Sequence, residues 1–473
     1  MSKLIGDRTF YKKVLTVAVP IMVQNGISNF VSLLDNIMIG NVGTEQMSGV
    51  GIVNQLLFVL YLGMFGAMAG PGIYAAQFFG KGDHDGVRHA FRYKMYIGLT
   101  VLAIGLTILI LNGEALLSLY LSDLADTEQS PELVLLYGRE YLGVMLVGLL
   151  PFAIEEVYAS TLRECGETRV PMIAGLVAVG VNLFLNYVFI FGNFGAPELG
   201  VRGAALATVI SRVVQAGIVV VWTHRNTLRM QFAKGLYHSF RIPAKLAEKI
   251  SVKGLPLMAN EILWSTGMAV LNQSYSRRGL DAVAGLNIAS TITNLFNVVF
   301  IAMGSAVAIM VGQLLGAGKT EEAKDTDTKL LAFSVASSAA LGVILFVLAP
   351  LFPKLYVETT ENVRSLAVGF LRVGAVCMPI FAFMHAAYFT LRTGGKTFIT
   401  FLFDSVFLWG VSVPVAYLIS RRTQLPILRF YLFMQSLDLI KCAIGFALVK
   451  KGIWVQNLVR EDAEAPEAAI EEK

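Results

Sequence analysis

Twelve long apolar segments divide this 473-residue chain, and they constrain its fold more than any other feature. Each is close to or above the roughly 20 mostly apolar residues that an α-helix needs to cross a bilayer. They lie at about 14–34, 49–72, 93–111, 137–159, 171–191, 201–222, 255–275, 286–314, 330–349, 365–390, 398–419 and 428–449. The strands of a transmembrane barrel alternate over about 10 residues, so segments this long exclude a barrel. The sequence therefore predicts an all-α polytopic membrane protein with twelve transmembrane helices.

The composition excludes several other classes of protein. Only 15% of the residues are charged, against about 25% in an ordinary globular protein, which is too few to coat several soluble domains. A hydrophobic content of 55% excludes disorder for most of the chain. Three cysteines are too few, and odd in number, for a disulfide scaffold. The net charge of +5 is spread between the apolar segments, so we expect no nucleic-acid partner.

Most Lys and Arg residues between the segments lie on one side of the predicted membrane. That side holds the N-terminus and the stretch 225–253, whereas the loop 112–135 on the other side has no Lys or Arg. Short loops rich in Lys and Arg remain in the cytoplasm. We therefore expect both termini to be cytoplasmic and the protein to lie in the plasma membrane as a monomer.

The first half of the chain resembles the second half. A constant shift of 236 positions aligns many residues of the two halves, and a shift of 229 aligns a later block. The matched pairs include Pro20 with Pro256, Gln77 with Gln313, Gly80 with Gly316, and, in the later block, Arg163 with Arg392 and Gly166 with Gly395. Because each half has six spans, both enter the membrane in the same direction. We expect two six-helix lobes related by a pseudo-two-fold axis along the membrane normal.

This duplication also predicts the domain boundaries. The N-terminal lobe would cover residues 1–222 and the C-terminal lobe residues 255–455, joined by a cytoplasmic connector at 223–254. Within the connector, AKLAEKISVKG fits either a basic amphipathic helix on the membrane surface or a solvated linker. The acidic, Ala- and Pro-rich residues 456–473 are predicted to be a disordered tail.

Repeats of this kind are common in secondary transporters, in which one half moves against the other around a site at mid-membrane. A duplicated structural membrane protein without transport is the alternative. A non-transporting membrane receptor is a further alternative, although a receptor needs no symmetry between two lobes.

Polar residues inside the apolar segments are the candidates for a functional site, because an ionisable group at the centre of a bilayer costs about 2.5–3.5 kcal/mol. Asp35 ends the first span, and no Lys or Arg lies within a helical turn of it. Asn182 and Asn186 lie four residues apart, on one face of the fifth span, and Thr208 lies in the sixth. A carboxyl group in apolar surroundings favours its neutral form, which suits proton binding. With amide and hydroxyl oxygens nearby, it would also suit sodium.

The second half has its own polar candidates. Glu261 in the seventh span lacks a basic neighbour in the sequence, and Asp404 lies in the eleventh span. Asp438 and Lys441 in the twelfth span are three residues apart, so we expect them to pair with each other.

Few features of the sequence indicate an enzyme. The chain has no Walker loop for ATP and no paired Cys or His-Glu-x-x-His motif for zinc. Glu155 and Glu156 resemble the start of an intramembrane protease signature, but Ser160 stands where that signature needs Arg. We expect these two carboxylates to be solvated or paired with Arg163, and we expect neither an enzyme nor a cofactor other than the coupling ion.

Several segments resemble the multidrug and toxic compound extrusion (MATE) family. They are SLLDNIMIGNVGTEQMSGVGI, NLFLNYVFIFG and ELGVRGAALATVISRV, with FFGKGD and LLGAGKTEEA once in each half. The resemblance covers about residues 10–455. It implies an antiporter that exports cationic, often aromatic drugs or metabolites in exchange for protons or sodium. The nearest alternative is a flippase of the same superfamily for lipid-linked saccharides or cell-wall precursors, which tends to have fourteen spans and a basic cavity.

The resemblance also assigns roles to the polar residues. Asp35, Asn182 and Thr208 match the family's first-span aspartate, fifth-span asparagine and sixth-span threonine of a cation site. Asn186 occupies a position that is Asp in several members, so Asp35 is the lone acid there. Glu261 resembles the seventh-span acid of the sodium-coupled branch, about one turn earlier than expected.

The expected mechanism couples Asp35 to a movement of its own helix. Asp35 would alternate between a neutral or cation-bound form and an ionised form, each favouring a different arrangement of the first span near Pro20. Aromatic and Met side chains of a central cavity would hold the cationic substrate.

Overall fold

The computed structural model describes residues 4–121, 130–356 and 359–460, and these ranges contain helices but no strand. The long helices are α1 (Arg8–Gly40), α2 (Thr44–Lys81), α3 (His84–Leu121), α4 (Pro131–Glu164), α5 (Arg169–Phe191), α6 (Gly200–Arg225), α7 (Ala244–Ser276), α8 (Leu280–Gly316), α9 (Thr320–Leu348), α10 (Glu361–Thr393), α11 (Thr397–Arg422) and α12 (Ile427–Lys450). Among the described residues, eleven of them are long and apolar enough to cross a membrane. The exception is α7, where polar residues such as Asn260 and Glu261 interrupt the apolar stretch.

The helices match the predicted spans but extend beyond them at most ends. For example, α2 has 38 residues, although its apolar centre was predicted at 49–72. At 1.5 Å per residue such a helix is about 57 Å long, well beyond a hydrocarbon core of about 30 Å. The predicted all-α architecture with twelve long helices is therefore confirmed, and the helices are longer than the predicted apolar segments.

The two lobes, α1–α6 and α7–α12, share a close contact between their second and fourth helices. In the first lobe, a Cβ atom on Gly49 of α2 would lie 2.7 Å from the Val134 carbonyl of α4. In the second lobe, a Cβ atom on Gly285 of α8 would lie 3.3 Å from the Val363 carbonyl of α10. Both residue pairs are related by the shifts found in the sequence. The close helix contact was therefore duplicated together with the glycine that permits it.

A second pair of glycines lies where the lobes meet. A Cβ atom on Gly80 at the end of α2 would clash with the Gln313 carbonyl of α8. A Cβ atom on Gly316 at the end of α8 would clash with the Gln77 carbonyl of α2. The two contacts exchange under the pseudo-two-fold, so the axis passes between the ends of α2 and α8.

The interface between the lobes lies toward one end of the bundle, the end at which residues 226–243 connect α6 with α7. We call it the connector end, and the opposite end the far end. Gln77 donates a hydrogen bond to the Thr393 carbonyl at the end of α10 (3.1 Å). Gln313 donates the symmetry-related bond to the Glu164 carbonyl at the end of α4 (2.8 Å). At the connector end, a glutamine of each lobe thus supplies a hydrogen-bond donor to a carbonyl group at a helix C-terminus of the other lobe.

The connector differs from both sequence-based expectations. AKLAEKISVKG forms the first turns of α7, continuous with the membrane-spanning part, and is neither a separate surface helix nor a solvated linker. The remaining stretch 226–243 packs against α3, where Arg92 donates to the Leu236 carbonyl (3.0 Å) and Arg88 to the Phe232 carbonyl (3.1 Å). Phe232 is only 1% exposed. Burial of its apolar residues explains why the connector is ordered along α3.

The described chain continues beyond the predicted end of the second lobe. Residues 456–460, assigned from the sequence to a disordered tail, pack between the lobes. The Leu458 amide donates to Gln77 (2.7 Å), Asn457 donates to the Gly316 carbonyl (3.2 Å), and Val459 is 6% exposed. The acidic part of the tail, 461–473, lies outside the described residues. Apolar side chains at Leu458 and Val459 account for the later boundary.

Two helices of the second lobe are irregular. α11 widens into π-helical turns at Leu402–Val406 and Leu408–Ser412. In α12, Leu437 separates the segments Ile427–Ser436 and Asp438–Lys450. π-helical turns change the direction of the side chains that follow and are frequent at functional sites.

Candidate ion-coupling site

Three helices of the first lobe bring the polar candidates together. Asn186 of α5 donates a hydrogen bond to Asp35 Oδ1 of α1 (2.6 Å) and a second one to Asn182 Oδ1, one turn away (3.2 Å). Asn182 in turn donates to Thr208 Oγ1 of α6 (3.2 Å). The i, i+4 spacing on α5 therefore aligns two amides between the carboxyl group and the hydroxyl group. The four residues form one connected chain, which we call the Asp35 cluster.

The Asp35 cluster is buried but incompletely bonded. Asn186 is 1% exposed and Asn182 is 5% exposed. The Asn186 side-chain nitrogen donates both of these hydrogen bonds. The buried Oδ1 atom of Asn186 has no partner. Asp35 is half-buried, and in the described part of the chain no Lys or Arg nitrogen lies within 4.0 Å of its carboxylate. The cluster thus offers a carboxylate and a free amide oxygen without a resident cation.

This arrangement is chemically suited to reversible ion binding. A carboxylate that accepts from a neutral amide can take up a proton, or it can hold a small hard cation together with amide and hydroxyl oxygens. The described residues hold no group of three His, Cys, Asp or Glu side chains suited to a metal ion.

Helix α1 contacts both lobes, with Pro20 inside it. Before Pro20, Val14, Val17 and Ala18 pack in one apolar cluster with α8 and other helices of the second lobe. After Pro20, Asp35 bonds to α5 of the first lobe. The helix is continuous through the proline, which lacks an N–H group for the backbone ladder. The contacts with the second lobe extend past Pro20 to Ile21, so the proline lies within them and Asp35 lies farther along the helix.

Asp404 in the second lobe has a resident cation. Lys441 Nζ of α12 lies 3.1 Å from Asp404 Oδ1 and 3.9 Å from Asp438 Oδ1. The expected pairing of Lys441 with Asp438 is thus the weaker of two contacts, because the π-helical part of α11 directs Asp404 at the lysine. Asn260 of α7 donates to Asp404 Oδ2 (3.1 Å) and accepts from Ser405 (2.7 Å).

Glu261 lies at the interface between the lobes. A Cβ atom on Gly66 of α2 would lie 3.1 Å from Glu261 Cγ, and in the described chain no Lys or Arg pairs with this carboxylate within 4.0 Å. Glu261 therefore faces the other lobe, directly after Asn260 of the Asp404 network in the chain.

Two groups of buried charges lie outside the residues predicted from the sequence for a functional site. Lys94 of α3 is fully buried and lies 2.6 Å from Glu164 of α4, with Ser160 as a further partner (2.9 Å). Asp327 of α9 is 1% exposed and accepts from Thr390 of α10 (2.6 Å). Glu164 and Asp327 lie where helices continue beyond the apolar segments 137–159 and 330–349, and Lys94 lies at the start of the segment 93–111. Helical spacing extended past those segments is the signal that would have located Glu164 and Asp327.

The fold and the pattern of buried polar residues are those of a two-lobed membrane transporter. A model of the MatE family matches residues 20–188 and 256–418, once in each lobe. The chain therefore belongs to the MatE family, whose members are transporters and not enzymes.

Known proteins resemble the chain over nearly its whole length. A "Probable multidrug resistance protein NorM" of Thermotoga maritima is 26% identical over 452 residues, covering 95% of this chain and 94% of the relative. A solved MOP superfamily transporter from Pyrococcus furiosus, described as having a binding pocket of reverse polarity, has a TM-score of 0.82 at 21% identity, covering 95% of this chain and 97% of that one. A multidrug resistance MATE family transporter in an outward-facing conformation has a TM-score of 0.81 at 21% identity, with the same coverage. These structures establish the shared fold.

Proposed function

We propose that this protein is a secondary active efflux antiporter. It exports cationic or aromatic drugs or metabolites in exchange for protons or sodium, by alternating access between the two lobes. The observation that carries the proposal is the Asp35 cluster: a carboxylate bonded to the Asn186 amide, beside a buried amide oxygen without a partner. Such a group gains from binding a proton or cation, and only differential binding shifts an equilibrium between two arrangements.

The resemblance to proteins named for multidrug resistance supports the choice of substrate. The basic connector end supports a cytoplasmic location for both termini and the plasma membrane as the site of action, since Lys and Arg concentrate on the cytoplasmic side. In that orientation, the contacts of Gln77 and Gln313 close the cytoplasmic side. The protein works as a monomer, because each chain contains both lobes.

A flippase of lipid-linked precursors is the second candidate, and basic residues within the spans favour it. Lys441, however, is occupied by Asp404, and Arg212 of α6 is held by the aromatic residues Tyr61 and Phe152. Lys441 is therefore already neutralised, and a single arginine held against two rings is a weak site for the phosphate of a lipid carrier. The antiporter is therefore the better supported of the two functions.

Ethidium export from cells, with the proton and sodium gradients collapsed separately, tests the proposal. An exchanger of one proton per substrate loses about tenfold in its limiting accumulation ratio for each pH unit removed, since one unit equals about 1.4 kcal/mol. We expect collapse of one of the two gradients to stop export. Export that continues after collapse of the proton gradient, and also continues after collapse of the sodium gradient, would contradict ion coupling.

A further inference from the structure

A second polar group lies in the first lobe beyond the Asp35 cluster. Glu155 of α4 is 6% exposed and accepts a hydrogen bond from Gln215 of α6 (3.0 Å). Its neighbour Glu156 is paired with Arg163 (3.1 Å), as expected from the sequence, whereas Glu155 has no Lys or Arg nitrogen within 4.0 Å in the described chain. A buried carboxyl group inside a membrane without a close cation indicates a functional role.

Arg212 of α6 lies close to Glu155 but bonds elsewhere. Its guanidinium carbon lies 5.1 Å from the centre of the Tyr61 ring and 4.8 Å from that of Phe152, and it donates to the Tyr61 hydroxyl (3.1 Å). The two rings contact each other with their centroids 4.5 Å apart. The Nε atom of Arg212 is buried and has no partner. The Arg212 guanidinium thus contacts two aromatic rings, and its Nε–H group has no hydrogen-bond acceptor.

Helical spacing connects these groups with one another. Phe152 and Glu155 are three residues apart on α4, and Arg212 and Gln215 are three residues apart on α6, so both pairs lie on facing surfaces. Phe152 contacts Arg212 while Glu155 contacts Gln215. The guanidinium and the Glu155 carboxylate therefore lie on the same α4–α6 interface, in neighbouring side-chain contacts. Thr208 of the Asp35 cluster lies one turn from Arg212 on the same helix.

The charged groups around Glu155 are few. Glu156 and Arg163 lie on its own helix and are paired with each other, and Arg212 is the charged neighbour on α6. On α3, Lys94 is paired with Glu164. Arg212 is thus the one neighbouring cation in the described chain that is not already paired with a carboxylate.

We propose that Tyr61 and Phe152 form a binding site for a cationic aromatic substrate, which Arg212 occupies while the site is empty. A bound substrate takes the place of the guanidinium against the two rings. The displaced Arg212 pairs with Glu155 through its free donor, and Glu155 gives up its proton to solvent as its carboxylate forms. Substrate binding and proton release are thereby linked within one lobe. This inference rests on the proposed antiport and identifies a substrate site and a second proton-binding group.

Purified protein in detergent, titrated with ethidium, tests the inference by fluorescence binding and by the protons released into a weakly buffered solution. We expect Glu155→Gln to release fewer protons per bound ethidium than the wild type. Glu156→Gln is the matched control and should behave as the wild type, because its partner is Arg163. Arg212→Gln should bind ethidium more tightly, because the competing cation is gone, and should also release fewer protons. A merely structural role of Arg212 would weaken binding instead.

Several outcomes would overturn the inference. One is equal proton release by Glu155→Gln and Glu156→Gln in proteins of unchanged thermal stability. Another is weaker ethidium binding by a folded Arg212→Gln. If the wild type exports ethidium on a sodium gradient and releases no protons, the inference fails although the antiport proposal stands. If the wild type exports nothing on either gradient, the proposed function itself fails.

Discussion

The Asp35 carboxylate has few bonding partners for a group that the proposed antiport requires to change its charge. It accepts from the Asn186 amide and has no cation within 4.0 Å in the described chain. A permanently ionised group would need more, since charged groups inside a protein are ordinarily paired. We interpret this incomplete bonding as the reason why Asp35 can alternate between two forms.

Asp35→Asn tests this interpretation at the residue scale. The variant keeps the size of the side chain and removes the ionisable group, so we expect folded protein, retained ethidium binding and loss of coupled export. Flux into inverted vesicles measures the effect. Asp85→Asn, an exposed position at the connector end, is the control. Export by Asp35→Asn at the rate of Asp85→Asn would contradict the assigned role.

Asn186→Asp tests the choice of ion. Asn186 directs a nitrogen at Asp35, and a carboxylate in its place would add a second negative charge beside the first. Two carboxylates with amide and hydroxyl oxygens suit a hard cation better than one. We expect the variant to gain sodium-dependent ethidium export. An unchanged response to sodium would indicate that the lone acid does not limit sodium binding.

At the scale of helices, the network of α7, α11 and α12 fixes the second lobe around a buried ion pair. Removing one partner of a buried pair costs about 3–5 kcal/mol, because the other charge is left without compensation. We expect Lys441→Gln to lower the thermal denaturation midpoint in detergent, and Asp404→Asn combined with Lys441→Gln to recover most of that loss. Asp438→Asn should have a smaller effect, because Asp438 lies 3.9 Å from the lysine. Equal losses from Asp404→Asn and Asp438→Asn would contradict this ranking.

The sequence was sufficient for the number and type of helices but not for their ends or their mutual register. Apolar windows identify the part of a helix inside the bilayer, so they miss Asp327, which lies before the segment 330–349 but is buried in α9. The pairing of Lys441 depends on how α11 and α12 face each other. Helical periodicity predicts Asp438 as the partner of Lys441, whereas the π-helical turns of α11 bring Asp404 closer to the lysine.

The Asp35 cluster could likewise be predicted only in part, because the sequence shows spacing within a helix but not packing between helices. The i, i+4 spacing of Asn182 and Asn186 places both amides on one face of α5 from the sequence alone. That this face meets Asp35 follows from tertiary packing, and its prediction rested on the resemblance to a family. The aromatic contacts of Arg212 join residues from three helices and had no signal in the sequence.

For the whole molecule, the symmetric bonds of Gln77 and Gln313 hold the lobes together at the connector end. They join helix ends across the interface, and each leaves a buried carbonyl group when it breaks. We expect the double variant Gln77→Ala, Gln313→Ala to favour opening at the connector end. Faster labelling of the buried native Cys165, next to the Glu164 carbonyl that accepts from Gln313, would detect it in a background without Cys377 and Cys442. Labelling no faster than in the parent protein would contradict this role.

The central claim, that the occupancy of Asp35 changes the arrangement of the two lobes, can be measured directly. Spin labels at the symmetry-related positions Thr44 and Leu280 report the far end, and labels at Asp85 and Glu321 report the connector end. We expect distance distributions from pulsed electron paramagnetic resonance to change in opposite directions at the two ends as the pH is lowered or sodium is added. Asp35→Asn should remain in one arrangement under all conditions. A variant whose distances respond to the coupling ion as those of the wild type do would contradict the account.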